Sequence, residues 1–88
     1  MANKRALKRD INQICEELFV ECIAASHYGH NREGAQTLLF CIIKIQDDHI
    51  RRISHPEPGM KASYYFKRLR EDFVKQACEI IDQINNMY

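Results

Sequence analysis

Ala62, Tyr65, Phe66, Leu69, Phe73, Ala77, Ile80, Ile84 and Met87 recur mostly at steps of three and four, and the residues between them are largely charged. On a helix of about 3.6 residues per turn this pattern makes one apolar stripe and one solvated back. A stripe of that length is stable only when other helices cover it, because an isolated amphipathic helix gains little from propensity alone. The rest of the chain must therefore supply helical partners.

Two clusters of helix-breaking residues divide the sequence, Tyr28-Gly29-His30-Asn31-Arg32-Glu33-Gly34 and Ser54-His55-Pro56-Glu57-Pro58-Gly59. Between them the hydrophobic period is helical, with no alternating strand pattern longer than a few residues. The first helix is expected at about 4–28, striped by Leu7, Ile11, Ile14, Leu18, Cys22 and Ala25 and widened by Cys15, Phe19 and Ile23. Gly29 suits the left-handed position after its end. The second is expected at about 32–54, with Asn31 as N-cap and a stop before Pro56, whose ring pushes His55 out of the α region. Gly34 in its first turn costs about 1 kcal/mol relative to alanine, which allows a start as late as Ala35. The third is expected at about 60–86, after Pro58 and Gly59. Three long helices with short joints pack up-down-up, so the chain is read as one all-α domain over residues 1–88, an antiparallel three-helix bundle.

The second helix carries an additional demand. Leu38-Leu39-Phe40-Cys41-Ile42-Ile43 is apolar around the whole circumference for nearly two turns. Two neighbours in a three-helix bundle shield only part of a helix, so something further must cover the remainder. A second copy of the chain in a twofold dimer is the expected cover, with Leu38, Leu39, Phe40 and Ile43 as anchors.

The formal net charge of +1 gives no global pull toward nucleic acid or an acidic partner. Its distribution is uneven. Lys4, Arg5, Lys8 and Arg9 open the first helix, whereas Glu16, Glu17 and Glu21 hold its middle. Glu17 and Glu21 form a like-charge pair one turn apart, a mildly unfavourable arrangement that calls for a cation from elsewhere. Lys44 is the candidate across the hairpin. Asp47–Arg51 and Asp48–Arg52 are pairs of favourable order, each contributing about 0.2–0.5 kcal/mol.

No secretory apolar run follows the charged N-terminus, and the longest apolar run is the six residues 38–43, well short of the roughly 20 a membrane span needs. The four cysteines form no CxxC pair and lie within apolar stretches, so they are read as reduced thiols and the compartment as cytoplasmic. Cys22 and Cys41 are expected within about one turn of each other across the hairpin, with Cys78 near the same layer; as small apolar residues they need no metal.

The candidate chemistry is sparse. His27 and His30, three residues apart, are weak metal-ligand candidates, and the Glu-x-x-His pairs of carboxylate-bridged bundles are missing. His49 falls on the inward line of the second helix and is expected to meet Tyr64 or Tyr65, as a satisfied core imidazole or a small polar site. Lys4, Arg5, Arg51 and Arg52 gather at one end of the bundle as candidate phosphate contacts. No nucleophile, base and orienting group stand together, so neither catalysis nor a cofactor is expected. The sequence thus reads as a small non-enzymatic interaction module that pairs with itself or a protein partner. Nucleic-acid association through the basic end is the alternative, and metal or small-molecule binding the third.

Overall fold

The joint between the second and third helices is built by a turn. Gly59 has a φ of +84°, the left-handed region that glycine enters without Cβ strain. Pro58 stands before it, and the Met60 N–H donates to the Glu57 carbonyl at 3.4 Å. Proline at the second position and a left-handed glycine at the third define a type II turn over 57–60. In this computed structural model, which describes residues 4–28 and 32–87, the chain forms α1 (Lys4–Tyr28), α2 (Arg32–Ser54) and α3 (Ala62–Asn85). The expected start of the third helix at Met60 is corrected to Ala62, because the turn uses Met60 as its closing residue. The first helical bond beyond it runs from the Tyr65 N–H to the Lys61 carbonyl at 2.9 Å.

The other limits follow the sequence. Helix α2 starts at Arg32, so Gly34 lies inside the helix and does not delay it. It ends where the His55 N–H caps the Arg51 carbonyl at 3.1 Å and Pro56 forbids another turn. Gly29, His30 and Asn31, the expected cap residues and one weak metal candidate, lie outside the described residues.

The three helices assemble as an all-α up-down-up bundle, a rod of 47 × 18 × 16 Å. Each helix buries one stripe: Ile11, Cys15, Leu18, Cys22 and Ala25 on α1; Ala35, Leu38, Ile42, His49 and Ile53 on α2; Phe66, Leu69, Phe73, Ala77, Ile80 and Ile84 on α3. Every step in these rows is three, four or seven, so the stripes stay on one side of each helix. Among the described residues no helix is long and apolar enough to cross a membrane.

Candidate functional site

Two polar contacts set the register of the α1–α2 hairpin. The Cys22 thiol donates to the Ala35 carbonyl at 3.3 Å, and the Gln46 side-chain amide donates to the Asn12 side-chain oxygen at 2.9 Å. In an antiparallel pair with equal rise, residue n of α1 then lies level with residue 58 − n of α2, to within about one position. Phe19 faces Leu39, and Ile23 lies level with Ala35. The Asn12–Gln46 bond also marks the outer edge of the hairpin. Asn12, Phe19 and Ile23 share that edge on α1, and Leu39, Ile43 and Gln46 share it on α2.

The hairpin's outer face, turned away from α3, carries several large apolar side chains among the polar Asn12, Glu16, Gln36 and Gln46. Phe19 and Leu39 are half-buried against the core, and Val20, Ile23, Phe40 and Ile43 surround them in the open. Phe40 is 74% exposed and Val20 65%. Their heights along the rod differ by at most about 12 Å. Fully covering a side chain of this size gains about 1.5–3 kcal/mol, so a cluster of four is a substantial unclaimed driving force.

The expected anchor set changes in two ways. Leu38 is buried in the core and is not an anchor; it belongs with Ile42 on the inward stripe. Phe40 and Ile43 are exposed and Leu39 is half-buried, and on α1 Val20 and Ile23 are exposed as well. Val20 lies outside the first helix's main stripe; its sequence signal is the unbroken apolar triplet Leu18-Phe19-Val20, wider than one face requires.

The other sequence-predicted residues do not come together. His49 is fully buried, but its ring meets Phe73, edge-on at 5.3 Å and 73°, and neither tyrosine. Its Nδ1 is 2.8 Å from the Ile45 carbonyl and must donate to it, while Nε2 has no partner among the described residues. Tyr65 donates its hydroxyl to the Arg52 carbonyl at 3.0 Å, and Tyr64 lies outside under the Arg68 guanidinium. A shared polar site of His49, Tyr64 and Tyr65 is therefore ruled out by which way each helix position faces.

At the basic end, Arg51 pairs with Asp47, and Arg52 bridges Asp48 at 3.5 Å and Asp72 at 3.4 Å. Lys4 lies over the Phe66 ring, 5.9 Å from its centroid, and Arg5 has a partner within the chain. The four expected phosphate contacts thus form no open row. His27 is exposed, and no group of three or more histidine, cysteine or acidic side chains suited to a metal exists among the described residues. Glu17 and Glu21 turn toward α3, and among the described residues no salt bridge joins them to Lys44.

The cysteines separate by environment. The register places Cys22 level with Gln36, five residues from Cys41, and Cys22 is buried while Cys41 is exposed. The expected Cys22–Cys41 layer is therefore not formed. Burial pushes the Cys15 thiol up to about 11 and raises that of Cys22 as well. Cys41 and Cys78 are exposed. A maleimide is expected to label the exposed Cys41 and Cys78 of the dilute folded chain much faster than the buried pair. Cys15, whose thiolate fraction at pH 8 is roughly one in a thousand, should react only as the chain unfolds, with Cys22 protected likewise. Rapid modification of all four, followed by mass spectrometry, would contradict this core.

Compared with known proteins, the chain matches no family model, and no curated protein or solved structure shows significant similarity to it.

Proposed function

We propose that this protein is a non-enzymatic helical interaction module whose α1–α2 face pairs with the same face of a second copy. The single observation behind this reading is the cluster of Val20, Ile23, Phe40 and Ile43 exposed around Phe19 and Leu39 on the side of the hairpin that α3 leaves uncovered. Single exposed apolar side chains are ordinary on soluble monomers, whereas several on one side of a hairpin favour an association surface. A twofold dimer uses one patch twice, so it satisfies the whole cluster without a second specialised surface.

Helix-on-helix burial is the mechanism, with Phe40 as the central anchor, since large aromatic side chains dominate such contacts. Phe40→Glu places a charge where the contact must be dry. The variant should keep the melting profile of a folded bundle, because Phe40 makes little use of the core, and light scattering after gel filtration should report a smaller mass than that of the parent chain. An unchanged, larger mass for the variant would remove this face from the association.

A further inference from the structure

The acidic pair Glu17–Glu21 remains unexplained by the α1–α2 face. Both line an open groove of about 370 Å³ between α1 and α3, whose floor is Ile14, Leu18, Ile81 and Ile84. No cation among the described residues pairs with either. On α3, Lys67, Arg70, Val74, Cys78 and Ile81 each follow a core position by one residue, so they form a single stripe beside the core row. Ile81 lines the groove, and the stripe therefore borders α1 along its length. All five are exposed, and Lys67 and Arg70 pair with no acid among the described residues. One face of the rod thus runs from two free cations, through apolar Val74 and Ile81, to two free carboxylates.

The spacing is self-complementary. Lys4 over Phe66 at one end, and Leu18 and Glu21 beside Ile81 and Ile84 at the other, set α1 level with α3 at an offset of about 63 residues. Glu17 then lies level with position 80 and Glu21 with position 84. An antiparallel copy that brings Lys67 to Glu21 needs its axis midway, at about position 75; bringing Arg70 to Glu17 needs the same height. Val74, 48% exposed, lies one residue from that axis. Long-range charge favours the same orientation. The half of the rod made by residues 4–14 and 44–75 holds twelve Lys and Arg against six Asp and Glu, and the other half holds Arg32 against six acids. A parallel copy would set like halves together; an antiparallel copy sets unlike halves together.

From this geometry we propose a second self-association surface: another copy of the chain lies antiparallel across the α1–α3 groove, about a twofold axis beside Val74, with Lys67 and Arg70 of each copy against Glu21 and Glu17 of the other. This surface adjoins the α1–α2 face at Val20, which shares a shallow depression with Glu17 and Glu21, but it uses the charged groups of α1 and α3 and not Phe40 or Ile43. Chains using both faces assemble beyond two copies.

The test is charge exchange read by sedimentation equilibrium at low salt. Glu17→Lys with Glu21→Lys, or Lys67→Glu with Arg70→Glu, should each weaken association by about tenfold or more, and all four substitutions together should restore it to within about threefold of the parent chain. Phe40→Glu, in parallel, weakens only the α1–α2 contact. Loss of association on Phe40→Glu with indifference to charge reversal would overturn this surface and leave the first standing; the opposite pattern would do the reverse. A parent chain that stays monomeric overturns both. Should a reversed variant fail to fold, Val74→Cys in a chain carrying Cys41→Ser and Cys78→Ser gives a second reading. Its thiol, beside the axis, should cross-link two copies through a short bis-maleimide, and absence of the cross-linked dimer would overturn the proposal.

Discussion

Phe73→Ala is expected to destabilise the bundle by about 3–5 kcal/mol, a large share of its total stability. Phe73 is 2% exposed and lies at the centre of the α2–α3 contact, where its ring receives the edge of His49. Truncating a buried phenylalanine costs about 3–5 kcal/mol, the lost transfer energy plus the cavity that remains. A domain of this length has only about 4–13 kcal/mol in total. The surroundings relax poorly here, because the facing group is an imidazole fixed by its bond to the Ile45 carbonyl and unable to swing into the void. Urea titration followed by circular dichroism, with parent and variant at equal concentration, measures the loss. A midpoint within a few tenths molar of the parent would show that the α2–α3 contact is not organised around this ring.

His49→Leu is expected to act in the opposite direction and raise stability by about 1–2 kcal/mol. Nδ1 is engaged with the Ile45 carbonyl, whereas Nε2 is buried without a partner among the described residues. A buried unsatisfied polar atom costs about 1–3 kcal/mol. Leucine nearly conserves the volume and removes both ring nitrogens, and the Ile45 carbonyl keeps its ordinary helical bond to the backbone N–H four residues on. In a chain of this size each kcal/mol moves the melting temperature by about 4–8 °C, so the shift is readily measured. A lower melting temperature would show that Nε2 meets a group the bundle alone does not supply.

Periodicity carried the helices and joints well, since apolar spacing and the Pro and Gly clusters are local properties. The start of α3 moved because Pro58 and Gly59 act as a turn that needs Met60, a four-residue effect that a helix-start rule based on proline alone overlooks. Leu38 and Phe40 illustrate the harder problem. Two residues apart on an all-apolar stretch, they point to opposite sides, and only the placement of α1 and α3 decides which is core. Val20 became part of a candidate surface for the same reason: its neighbours on α2 are set by the hairpin register, which follows from Cys22–Ala35 and Asn12–Gln46 and from nothing in either helix read separately. The inward position of His49 was legible from its seven-residue step after Ile42. Its tyrosine partners were not, because Tyr64 and Tyr65 precede the inward Phe66 by two and one positions and so face elsewhere.

The unpaired acids and cations of the α1–α3 groove were visible in the sequence only as a local irregularity, two glutamates one turn apart. Their complement lies some fifty residues away on α3 and comes level with them only through the parallel packing of α1 and α3. Both candidate surfaces thus arise where a short bundle leaves part of an apolar circumference uncovered, a consequence of having only three helices to enclose it.

The most direct measurement of that account is the solvent accessibility of the Val20 and Ile43 methyl groups in the unmodified chain, read by nuclear magnetic resonance from relaxation induced by a soluble gadolinium agent. With the α1–α2 face covered, both should be shielded nearly as well as Ile42 in the core, and Phe40→Glu should release them. Strong relaxation of both in the parent chain, at a mass of 10.4 kDa, would show a solitary bundle with its apolar side in water and would contradict the proposal.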